Sequence, residues 1–178
     1  MSVHLESAYS NRAKEVPTVP ESLAIIPRLS VNGGLGDLVL LTALALRVQA
    51  AGINRVSLAF NPDPKKLHVQ LVPLLGSSIH FFPLPVGLFE DSVSQGQKLA
   101  SSLKIITELL PFNPQKIAVL GAKNVRFLPK TPWRFGLDYF PTDILQGNKH
   151  LVAAYFDQLA QVYNLQDVYG DQLPTFTI

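Results

Sequence analysis

Short apolar runs alternate with longer helix-forming segments along most of the chain. Leu23 to Leu29 is a β-like apolar run, Asn32 to Gly36 is glycine punctuation, and Asp37 to Ala51 has helix-forming composition that ends at Gly52, a natural C-cap. Arg55 to Phe60 is a β-branched and aromatic strand, Asn61-Pro62-Asp63-Pro64 a turn, and Lys65 to Leu75 a helix closed by Gly76. Ser78 to Leu84 reads as a third strand, Gln95 to Leu110 as a helix and Lys116 to Leu120 as a fourth strand, after which comes a basic, proline-containing stretch. Lys149 to Tyr163 is a last amphipathic helix, with Leu151, Tyr155, Leu159 and Val162 at helical spacing. This alternation predicts βαβ units. The expected fold is a Rossmann-like three-layer α/β domain, its mainly parallel sheet covered by helices on both faces and joined by right-handed crossovers. Pro27 conflicts with the interior of a central strand because it lacks a ladder donor, so a bulge or an early strand end is expected there.

With 178 residues, of which 47% are hydrophobic, the chain can bury a sizeable core but is short for two full domains. The reading is one domain over residues 22–178, preceded by an arm over residues 1–21. That arm mixes Glu6, Arg12, Lys14 and Glu15 with Pro17 and Pro20, and so lacks the apolar core of a signal peptide. The most apolar stretch, Leu38 to Ala51, is interrupted by Thr42, Arg47 and Gln49 and is shorter than the roughly 20 residues a membrane-crossing helix needs. A soluble, cytoplasmic protein is expected, with a peripheral contact at the inner membrane left open. A formal charge of +2 is too small for the basic footprint of a nucleic-acid binder, which sets nucleic acid aside as the main partner. The absence of cysteine excludes disulfides and a thiolate nucleophile.

The glycine turn carries the chemistry. In a parallel α/β sheet, ligands bind beyond the carboxyl ends of the strands, where the first βα turn offers free backbone N–H groups and the positive end of a helix. Asn32, Gly33, Gly34 and Gly36 occupy that turn, and glycine lets a backbone bend tightly and approach a ligand. The dinucleotide fingerprint is not met, since counting from Gly34 and Gly36 its third glycine falls on Val39, and Phe60-Asn61 stands where an acid would grip a ribose. No Gly-Lys-Ser/Thr follows, so this is not a P-loop either. Asp37 has two readings. As a first-turn carboxylate it is stabilised by unpaired N–H groups and the helix dipole; as a general base it must reach the hydroxyl that it deprotonates. Both put it at the mouth of the same cleft.

The run Gly33-Gly34-Leu35-Gly36-Asp37-Leu38-Val39-Leu40-Leu41-Thr42-Ala43-Leu44 resembles the N-terminal signature of the ADP-heptose-type glycosyltransferases, in which Gly-Asp opens a helix carrying Thr-Pro-x-Leu. Ala43 stands where that family has proline. The resemblance implies the N-terminal half of a GT-B fold and gives Asp37 the role of the base that activates an acceptor hydroxyl for inverting transfer. The substrate-side residues are then Asn32, Gly33, Gly34 and Gly36. The string Gly-Gly-Leu-Gly-Asp also occurs in starch and glycogen synthases, preceded by a nucleotide-binding lysine at the position that is Val31 here. His150-Leu151-Val152 through Leu159 to Tyr163-Asn164-Leu165 is similar to the heptosyltransferase family's last N-domain helix, and the similarity spans residues 23–178.

In that family a C-terminal domain holds most of the nucleotide-sugar, so the resemblance implies a sugar or phosphorylated glycolipid acceptor here and a donor site supplied by another domain or chain. The alternative is a catalytically inert scaffold that docks a partner protein. The helix after Asp37 is apolar almost all round, which calls for cover on its outer face, either from a partner or from neighbouring helices of the same domain. Between Lys116 and Arg134, Lys123, Arg126 and Lys130 occur with no acid, interleaved with Phe127 and Trp133. In a glycosyltransferase, Lys123 and Arg126 would bind an anionic acceptor; otherwise the stretch is a solvated loop with aromatic anchors. His4, His68, His80 and His150 lack ligand-like spacing and read as surface or hydrogen-bonded residues, so neither a metal nor a cofactor is expected.

Overall fold

The computed structural model describes residues 18–28, 35–62, 68–75, 78–85, 92–121, 136–141, 150–170 and 172. Its elements are β1 (Ser22–Pro27), α1 (Leu35–Ala50), β2 (Arg55–Phe60), α2 (His68–Leu75), β3 (Ile79–Pro83), α3 (Gln95–Leu109), β4 (Lys116–Leu120), β5 (Gly136–Phe140) and α4 (Leu151–Tyr163). The five strands form one all-parallel sheet in the order β3-β2-β1-β4-β5. This is the Rossmann-like α/β architecture, with the chain reversing its direction of growth between β1 and β4.

The side-chain alternation of each strand supplies both faces of the sheet. Leu23 and Ile25 of β1 point to one face, where they pack with Leu41, Leu44 and Val48 of α1 and Phe156 and Leu159 of α4. Ala24 and Ile26 point to the other and meet Ile105 and Leu109 of α3, together with Phe82 and Val119. Because both faces are covered, β1 carries no exposed position at all: all its residues are buried. That explains why it reads as an unbroken apolar run instead of an alternating one.

The helices end where their caps dictate. Gly52, at φ +114°, closes α1: its N–H donates to the Gln49 carbonyl and that of Ile53 to the Val48 carbonyl, the paired bonds of a Schellman motif. Ser94 caps α3 by accepting from the Gln97 N–H, and the Gln97 side chain accepts in return from the Ser94 N–H, a complete capping box. Asn164 ends α4 in the left-handed conformation at φ +54°. Its short amide side chain makes that region tolerable for a residue other than glycine.

Four local expectations need adjustment. β1 starts one residue before the apolar run and ends two residues before it does, with Pro27 as its last residue and no bulge: Leu23 to Pro27 pair one-to-one with Lys116 to Leu120. The Arg28 N–H donates to the Leu120 carbonyl, so the donor that Pro27 lacks falls on the opposite side, beyond the last β1–β2 pair at Ile25 and Leu58. β5 had no counterpart in the sequence reading. It is an edge strand whose first four residues are half-buried, with Gly136 and Asp138 among them, both poor strand formers. On α4, Val162 is exposed, and the buried stripe runs through Val152, Tyr155, Phe156, Leu159 and Tyr163 instead. Finally, the apolar side chains of α1 from Leu38 to Val48 are buried or half-buried within this domain, between the sheet, α4 and α2. The neighbour that its composition calls for is therefore the domain's own helices.

Candidate functional site

The carboxyl edge of the sheet is assembled from the ends of all five strands. The Arg28 N–H donates to the Leu120 carbonyl at 2.8 Å, the Gly121 N–H to the Phe140 carbonyl at 2.7 Å, and the Leu84 N–H to the Phe60 carbonyl at 2.7 Å. These bonds extend the ladder one residue past β1, β4 and β3 and fix the rim. Gly121 turns away from β4 at φ +76°, in the left-handed region that suits glycine.

The first turn of α1 is seated on this rim. Leu38 is buried against Phe60, the last residue of β2, and Leu75 of α2. Anchoring by Leu38 leaves the preceding residues facing outward: Asp37 is half-buried and Gly36 is exposed, with open space where a Cβ would stand. One turn on, the hydroxyl of Thr42 donates to the Leu38 carbonyl at 2.7 Å, so this polar group, fully buried, is satisfied within the helix. The N–H groups of the first turn have no acceptor inside the helix, and they lie at the positive end of its dipole. A carboxylate at Asp37 is stabilised there, and an anionic or hydroxylic ligand could share the same N–H groups.

Of the residues singled out in the sequence, Gly36 and Asp37 are thus brought to the rim on one turn of α1. Asn32, Gly33, Gly34, Lys123 and Arg126 lie outside the described residues. Two rim residues escaped the sequence reading. Arg28 was hidden inside the apolar run taken as strand; it is exposed, immediately beyond β1 at the reversal point between β1 and β4. Gly121 was hidden because a single glycine after a strand carries no spacing signal, although its position directly behind Leu120 marks the end of β4.

Two of the displaced titrations belong to side-chain pairs that tie the fold together. Burial pushes the Tyr163 hydroxyl far above its ordinary range, reinforced by the charge of Asp138, which accepts its hydrogen bond at 2.8 Å. Asp138 also faces Lys116, at 3.8 Å. The hydrogen bonds from Arg47 hold the Asp167 carboxyl below its usual value, against a weaker opposing effect of burial. His80 accepts or donates a 2.9 Å hydrogen bond with the buried Ser57 and stacks on Phe112, while His150 caps α4 by accepting from the Val152 N–H. Among the described residues no three His, Asp or Glu side chains gather as metal ligands, and no helix is long and apolar enough to cross a membrane.

Set against known proteins, the chain matches no protein-family model and no curated protein sequence.

Proposed function

We propose that this domain is the acceptor-binding half of an inverting glycosyltransferase of the heptosyltransferase type, acting on a cell-envelope glycan or lipid. The observation that carries the reading is the half-buried carboxylate of Asp37 on the first turn of α1, at the carboxyl edge of a parallel sheet where its strand order reverses. The glycine run before it, with its likeness to the heptosyltransferase signature, supports the same reading.

In the proposed reaction the Asp37 carboxylate accepts the proton of the acceptor hydroxyl as that oxygen forms its bond to the anomeric carbon of the donor sugar. The bond from the anomeric carbon to the nucleoside diphosphate breaks, the diphosphate leaves with the electron pair, and the anomeric configuration inverts. A second domain or chain holds the nucleotide-sugar. The first-turn N–H groups of α1 position the acceptor, and general-base assistance of this kind contributes roughly 100- to 10,000-fold in rate. The site would work at the cytoplasmic face of the membrane, where nucleotide-sugars meet lipid-linked acceptors.

The test is transfer from a nucleoside-diphosphate sugar to a phosphorylated glycolipid acceptor, with the donor-binding half present. Asp37→Asn should lower kcat by about two orders of magnitude or more with little change in KM. Unchanged turnover in that variant would remove Asp37 from the role of base.

A further inference from the structure

We draw no further inference here: the strongest candidate, the exposed apolar stripe of Leu99 and Leu103 on α3 and Leu110 at its C-cap, is a helix face without a partner among the described residues, and nothing in the structure shows what covers it.

Discussion

The guanidinium of Arg47 grips both carboxylate oxygens of Asp167, joining the last turn of α1 to the segment that follows α4. The same guanidinium donates to the Gly170 carbonyl and lies 4.5 Å from the centre of the Phe156 ring. The two partners are unequally buried, with side-chain exposures of 3% for Arg47 and 30% for Asp167. Removing one member of the pair is therefore not equivalent to removing the other.

Asp167→Ala leaves a buried guanidinium without its counter-charge, and should cost about 2–4 kcal/mol. Arg47→Met fills much of the same space with an apolar chain and leaves only a carboxylate that can turn to water, so a loss near 1 kcal/mol is expected. Urea midpoints at unchanged m-value measure both. The reverse order of the two variants would contradict this account of the clasp.

The acid limb of stability follows from the same pair. The folded-state carboxyl of Asp167 is depressed, so its contribution is present above the ordinary aspartate value of about 3.9 and fades as the pH falls through the lower folded value. Wild type and Asp167→Asn should differ by a constant amount above about pH 5, and the gap should close progressively below about pH 4. Denaturation across that range, at fixed ionic strength, checks it.

Tyr163 has the opposite sign. Its folded-state value is raised, so the stability it contributes is complete below the ordinary tyrosine value of about 10 and is lost as the pH rises beyond it, where the unfolded chain ionises and the folded one does not. Tyr163→Phe should lose about 1 kcal/mol at neutral pH with the hydrogen bond to Asp138, and should flatten the decline above pH 10. A steep alkaline decline that persists unchanged in the variant would assign it to other groups.

Two glycines should respond differently to alanine. At Gly136 a Cβ would stand 2.6 Å from Cδ of Lys116, but that side chain is flexible and partly exposed, so it can swing aside and forfeit only a surface ion pair worth at most about 1 kcal/mol. Gly121 sits at φ +76° on the rim, where alanine is strained by roughly 1–2 kcal/mol. Thermal unfolding of the two variants should place Gly121→Ala well below Gly136→Ala.

Much of the architecture was legible because the sheet is buried on both faces. β2 and β4 fall on the very residues that their β-branched and apolar runs suggested, and Gly52 ended α1 as its sequence position implied. β5 was invisible for the complementary reason: as an edge strand it is only half-buried over its first four residues, so Gly136 and Asp138 face no selection for an apolar pattern. At the site, Asp37 was legible through its place behind the glycine run, while Arg28 was not, because a strand's end is set by pairing across the sheet and the apolar run continues past it to Leu29. The apolar girth of α1 was ambiguous in sequence, since periodicity reports that a face is covered without reporting by what.

The central claim is that the rim around Asp37 receives a sugar acceptor. Amide NMR of the ¹⁵N-labelled chain, titrated with a hexose 1-phosphate as an acceptor-like probe, tests it most directly. The account predicts saturable shifts concentrated at Gly36, Asp37, Arg28 and Gly121, with the amides of the amino edge, such as Lys116 and Tyr163, unmoved. A titration that leaves those rim amides in place, whether or not others move, would contradict it.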